Sequence, residues 1–177
     1  MLTIKKKLLA LYTKRLVRAS QVARLNVGYE QAQLMGLLYT YENAQKHKAV
    51  LQFVDQIKRT GKELHTLCYV ANPREIYRGG FPAFTQRAIG LFGKFSDKQV
   101  IDFLCTPFDY LYHVDLVSNP ILDYLLATCR AKCRVGKFDP IRANLFEVMI
   151  KFASKEGSHQ LDGLMEKMLH YTQLLQA

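Results

Sequence analysis

Seven cations and no carboxylate open the chain: Lys5, Lys6, Lys7, Lys14, Arg15, Arg18 and Arg24 all precede Glu30, the first acidic residue. Lys and Arg gathered in this way neutralise phosphates, with an affinity that falls as salt rises. The whole chain carries 25 Lys+Arg against 15 Asp+Glu, so setting these seven aside leaves 18 basic against 15 acidic residues over positions 30–177. The cationic character belongs to an N-terminal arm, and the body is nearly neutral. Three readings of the arm stand. It contacts RNA or a ribonucleoprotein surface; it adsorbs to an anionic membrane; or its apolar side docks on the chain's own domain and the cations are simply solvated.

A second concentration of polar groups is His113-Val114-Asp115-Leu116-Val117-Ser118-Asn119, immediately before Pro120. A helix start offers unpaired N–H groups and positive potential, which suit phosphate or carboxylate. With Glu42, which follows an apolar run, the residues His113, Asp115, Ser118 and Asn119 form a candidate ligand crevice at the carboxyl ends of strands. Capping alone accounts for Ser118, Asn119 and Asp115. It leaves His113 unexplained.

Other chemistry is missing its signatures. The turn Tyr39-Thr40-Tyr41-Glu42-Asn43 has no glycine, so it is neither a dinucleotide fingerprint nor a phosphate loop. No GxSxG elbow occurs. Cys68, Cys105, Cys129 and Cys133 include no CxxC, and the five histidines show no paired metal spacing. Neither a cofactor, a metal nor a catalytic residue is expected, and the cysteines read as reduced thiols of a cytoplasmic protein. The apolar run Leu8–Tyr12 is shorter than the roughly 7–15 residues of a signal-peptide core. Tyrosines 39, 41, 110, 112 and 124 could form a base-stacking platform beside the arm, or could pack under helices.

The elements that must position these groups can be read from periodicity. The arm lacks Gly and Pro before Gly28 and predicts an amphipathic helix over about residues 3–24. Lys7, Lys14, Arg15 and Arg18 fall in one arc of it, and Leu8, Leu9, Tyr12 and Leu16 in the next. Leu34–Thr40 reads as a buried strand, Asn43 caps a helix carrying Val50, Phe53, Val54 and Ile57, and Leu64–Val70 is a second strand. Together they make a parallel βαβ unit. Phe84–Ile89 and Phe108–Val114 are expected to be strands, with Ser96 and Gln99 as a capping box between them. Asn119 and Pro120 start the next helix, Lys132–Gly136 is a short strand, and Ile141, Leu145, Phe146 and Met149 read as helical. Ser158 caps a final helix. The expected fold is a single α/β domain over 29–177, three-layered and doubly wound on a mostly parallel, flavodoxin- or Rossmann-like sheet of about five strands, with the basic helix in 1–28.

Two stretches are also familiar together. Pro107-Phe108-Asp109-Tyr110-Leu111, then Asn119-Pro120, then Ala131-Lys132-Cys133-Arg134-Val135-Gly136-Lys137-Phe138-Asp139 resemble a family of small basic bacterial α/β proteins known only as a domain of unknown function. Its members share a Lys/Arg-rich first helix, a "PFD" strand and an "AKxxVGxxD"-like segment. The resemblance spans nearly the whole chain; it implies a bacterial cytoplasmic setting and no activity. A shorter likeness, over about twenty residues around Asp115-Leu116-Val117-Ser118-Asn119, is to the sugar-nucleotide half of heptosyltransferase-like enzymes, with Pro120 where those carry Gly; it is an analogy of fold alone. The functional expectation is therefore a non-enzymatic protein that contacts a polyanion through its first helix. The alternatives are a nucleotide- or sugar-phosphate-binding enzyme using the crevice, and a peripheral membrane or assembly factor.

Overall fold

The computed structural model describes residues 2–19, 24, 27–72, 77–90, 92–151 and 160–176. A six-stranded, all-parallel sheet runs through it in the order β3-β2-β1-β4-β5-β6. The strands are β1 (Leu34–Tyr41), β2 (Glu63–Val70), β3 (Ala83–Phe84), β4 (Tyr110–His113), β5 (Cys133–Lys137) and β6 (Val148–Ile150). This is the doubly wound order in which the chain reverses direction across the sheet between β1 and β4. The helices are α1 (Leu2–Ala19), α2 (Ala44–Arg59), α3 (Lys98–Cys105), α4 (Pro120–Thr128) and α5 (Gln160–Gln173).

Side-chain alternation along the central strands builds the three layers. Leu37, Tyr39, Tyr110 and Tyr112 face one way and pack on Val50, Phe53 and Ile57 of α2 and on Leu164 and Met168 of α5. Leu38 and Leu111 face the other way, toward Val100 and Leu104 of α3, Leu122 and Leu125 of α4, and Leu9 of α1. Both faces of the sheet are covered, which is why β1 reads as a continuous apolar run. The central tyrosines are buried under helices and so form no base-stacking platform.

The βαβ unit follows the expected pattern. Asn43 Oδ1 accepts from Lys46 N at 2.8 Å to cap α2, and Gly61, with φ of +78°, takes the left-handed turn after its end. Four expectations need correction. The sheet has a sixth strand: Ile141 and Leu145 lie in a 3-10 turn, Pro140–Leu145, and Met149 in β6, so their helix-like spacing is shared between two elements. The strand expected over 84–89 is two residues long, after which Thr85 caps a 3-10 turn at Gln86–Ala88. Asp97, not Ser96, caps α3: its carboxylate accepts from Gln99 N at 2.9 Å, while Ser96 Oγ is turned away and donates to Ala88 O at 3.3 Å. Strand β4 starts at Tyr110, two residues later than expected, and the carboxylate of Asp109, just before it, does other work. The predicted cap at Ser158 lies outside the described residues.

That other work explains the "PFD" and "AK" motifs. Asp109 Oδ2 accepts from Gln33 N at 2.8 Å and Leu34 N at 3.0 Å, and Oδ1 from Lys132 Nζ at 2.8 Å. One carboxylate thereby joins the amino ends of β1, β4 and β5. A second tie is Arg134, buried, whose guanidinium donates to both oxygens of Glu147 at 3.0 and 2.7 Å and to Leu126 O at 2.9 Å. No helix among the described residues is long and apolar enough to cross a membrane.

Candidate functional site

At the opposite, carboxyl end of the sheet, β1 and β4 separate and leave the crevice where doubly wound proteins take ligands. Thr40 comes from the end of β1, His113 from the end of β4, and Asp115 two residues beyond it. Because Asn43 starts α2 directly after β1, Lys46 stands one helical turn in, with its ammonium over the strand ends. Asp115 gathers these groups. Its Oδ1 accepts from Thr40 N at 3.0 Å and Lys46 Nζ at 2.6 Å, and its Oδ2 from Thr40 Oγ1 at 2.7 Å. Lys46 Nζ also donates to Glu42 Oε1 at 2.7 Å. Burial alone would raise the Asp115 carboxyl, but His113 and Lys46 outweigh it and hold the group well below the usual carboxylate range.

His113 is fully buried, with Nε2 3.5 Å from Asp115 Oδ2. Neither ring nitrogen has a hydrogen-bond partner among the described residues, and the ring lies 5.8 Å from that of Phe146. Asn119 does what its position suggests, accepting from Ile121 N at 3.0 Å to cap α4. Ser118 is exposed. Of the crevice residues read from the sequence, Asp115 and Glu42 thus meet at Lys46, and His113 lies beside Asp115. Ser118 and Asn119 sit on the following turn and do not join them.

The open part of the crevice is a cleft of about 470 Å³ between the first turns of α2, the Leu116–Val117 loop and the start of α5. Glu42 and Lys46 reach it, together with Gln45, Gln52, Gln160 and Asp162. Carboxamides donate and accept at once and so match hydroxyls and base edges. Periodicity marks these glutamines only as polar helix positions, so the sequence reading missed them. Lys46 did carry a signal, the i, i+4 spacing from Glu42. Next to the cleft, Tyr39 Oη and His47 Nδ1 are 2.7 Å apart, and His47 Nε2 is 3.1 Å from Gly79 O. Among the described residues no group of three or more His, Cys, Asp or Glu side chains is placed to hold a metal ion.

The basic arm divides. Helix α1 packs on α4 through buried Leu9 and Thr13, with Tyr12, Leu16 and Val17 against the same core. The docked stripe is centred one position beyond the expected Leu8, which is only half-buried. Lys5 donates to Gln86 O and Ile89 O, and Arg24 to Cys129 O and Ala131 O. These two cations are structural tethers. Lys6 is half-buried, whereas Lys7, Lys14, Arg15 and Arg18 are exposed, sharing the solvent side with Ile4 and Leu11. The helix described ends at Ala19; the predicted continuation over 20–23 lies outside the described residues.

Residues 5–175 match a family model whose description is "Family of unknown function (DUF6913)". No curated protein matches the chain. A solved structure titled as the glycosyl transferase family 9 from Veillonella parvula DSM 2008 is similar over 86% of this chain and 43% of its own, at 9% identity and a TM-score of 0.45. The chain thus spans less than half of that protein's length.

Proposed function

We propose that this chain, which belongs to the DUF6913 family of unknown function, binds a nucleotide or sugar phosphate in the cleft between the carboxyl ends of β1 and β4. The observation that carries the reading is the cleft's place and lining. It lies at the point where strand order reverses, and the carboxamides of Gln45, Gln52 and Gln160 line it beside groups of both signs, Glu42, Lys48 and Asp162, leaving the carboxamides to select the ligand. Such a wall suits the hydroxyls of a sugar or ribose, and the first turn of α2 is a favourable end for a phosphate. Asp115 is buried beneath this wall and holds it through Lys46 and Thr40, and His113 is buried beside Asp115. We assign them no catalytic role.

A thermal-shift panel of nucleotides and sugar phosphates tests the reading. The expected result is a raised Tm for at least one compound, lost in Gln52→Leu and Gln160→Leu while the ligand-free Tm stays unchanged. No shift across the panel overturns it.

A second reading is favoured by the acid-free solvent face of α1. There Lys7, Lys14, Arg15 and Arg18 would contact a polyanion, RNA or a ribonucleoprotein surface, without any enzymatic step. Replacing all four by Ala should weaken RNA binding and flatten its salt dependence, by about 0.7 in slope per lost phosphate contact. Unchanged affinity and slope overturn this reading. Flotation of the protein with anionic liposomes, but no RNA binding, would transfer the face to a membrane, where Ile4 and Leu11 would insert. The reducing cytoplasm is the compartment we propose, supported by four cysteines that are all unpaired.

A further inference from the structure

We propose that the groove between α1 and the 3-10 turn Pro140–Leu145 is a separate site for a small phosphate-bearing molecule. It encloses about 220 Å³ on the α1/α4 side of the sheet, and none of its lining residues is shared with the β1/β4 cleft. Lys14 and Arg18, one turn apart on α1, form one wall; Arg142 of the 3-10 turn and the amino end of α4 at Pro120 form the other. Three cations therefore face the groove against one carboxylate, Asp123.

Arg142 is the group that makes this more than a charged surface. It is 7% exposed. Nη2 donates to Asp123 Oδ1 at 2.5 Å and the guanidinium lies 5.1 Å over the Phe146 ring, yet its Nε is buried with no hydrogen-bond partner among the described residues. A desolvated donor left unpaired is costly, and Arg142 lines the groove, so a phosphate seated against it would supply an acceptor that the described residues do not. Guanidinium groups match phosphate oxygens with paired donors, and Lys14 adds a point charge. With Asp123 neutralised by Arg142, the charge left for a ligand is that of Lys14 and Arg18, which matches a dianion. Ile141 stands 94% exposed at the groove, beside Leu145 and Val17, and offers an apolar rest for the remainder of the molecule.

This site differs physically from a polyanion track along α1. A track uses all four exposed cations about equally, whereas the groove uses Lys14 and Arg18 and leaves Lys7 and Arg15 outside. Titration calorimetry with inorganic pyrophosphate and with AMP on the full chain distinguishes them. In the full chain carrying Gln52→Leu and Gln160→Leu, so that the β1/β4 cleft takes no nucleotide, binding of one equivalent is expected, weakened about tenfold by Lys14→Ala or Arg18→Ala, the worth of one charge-assisted hydrogen bond. Arg15→Ala should leave it unchanged. Both weakening substitutions lie on exposed positions, so the fold is kept, and Arg142→Lys supplies an interior check by preserving charge while removing the fork. The proposal is overturned if neither probe binds at about 1 mM. It is equally overturned if Arg15→Ala costs as much as Arg18→Ala. Failure here leaves the β1/β4 cleft untouched, because its test rests on Gln52 and Gln160.

Discussion

The ammonium of Lys46 and the carboxylate of Asp115 lie 2.6 Å apart with both side chains buried, so helix α2 is pinned to the segment after β4 by an ion pair shielded from water. Thr40 brings the end of β1 into the same knot through two hydrogen bonds. The floor of the cleft is therefore held by charge, and the cleft keeps its shape only while both partners are present.

Removing one partner strands the other. Asp115→Ala should cost about 3–5 kcal/mol, because the Lys46 ammonium is then buried against Glu42 alone. The pair Lys46→Met with Asp115→Leu should recover much of that loss, since no unpaired charge remains. Urea denaturation of Lys46→Met, Asp115→Leu and the double variant measures this as a coupling energy.

Acid should loosen the same knot. The Asp115 carboxyl titrates well below its ordinary range in the folded chain, and Asp109, despite burial, is also lowered by its backbone donors and Lys132. A depressed folded value means that the stabilisation is fully present above the unfolded value of about 3.9 and is lost as pH falls through the folded value. Stability should thus be flat with respect to these groups above about pH 5 and decline below about pH 4. Asp109→Asn should show a shallower acid limb in pH-dependent thermal melts. An identical limb would show that Asp109 is not responsible.

Much of this arrangement was legible in the chain. The βαβ unit and the Asn43 and Asn119 caps follow from local chemistry, because caps and buried apolar runs depend on neighbours in sequence, whereas Asp115, which reads locally as a charge at a helix start, takes its partners Thr40 and Lys46 from far along the chain. What was not legible depends on contacts across long separations. Val148–Ile150 is a strand because β5 lies alongside it, and three residues carry no period of their own. Lys5 and Arg24 look like the other arm cations in sequence and differ from them only in the carbonyls they meet, near residues 86–89 and 129–131. The glutamines of the cleft come from α2 and α5, which converge only in the folded chain.

The two leucines Leu9 and Leu11 make a direct test of how α1 sits. Leu9 is fully buried against α4, whereas Leu11 is 58% exposed. Leu9→Ala should cost about 2–5 kcal/mol, the loss of buried apolar surface together with a cavity. Leu11→Ala should stay within about 0.5 kcal/mol. Equal effects in thermal melts would mean that the helix docks by a different face.

Gly136 is where the sheet meets Phe146 most closely. A Cβ built there would lie 2.3 Å from Phe146 Cε1, so the ring would have to move. That ring also neighbours His113 and supports Arg142. Gly136→Ala should destabilise by about 1–3 kcal/mol, the usual cost of overpacking a core. Because Arg142 would shift with the ring, the same substitution should weaken pyrophosphate binding in the α1 groove more than it alters nucleotide-induced shifts at the β1/β4 cleft.

Thiol chemistry reports on the fold from four places at once. Cys105 is exposed at the end of α3, whereas Cys68, Cys129 and Cys133 are buried. Burial pushes the Cys68 thiol up to about 11 and the Cys133 thiol up to about 12, and it raises Cys129 as well. The reactive species is the thiolate, so at pH 8 these three are doubly protected, by steric closure and by protonation. A disulfide-exchange reagent should label Cys105 rapidly in the native protein and the other three only at the rate of local or global opening. In denaturant all four should react together. Cys105→Ser should remove the fast phase and leave the slow ones unchanged. A second fast phase in that variant would locate an opening of the core near whichever buried thiol produces it.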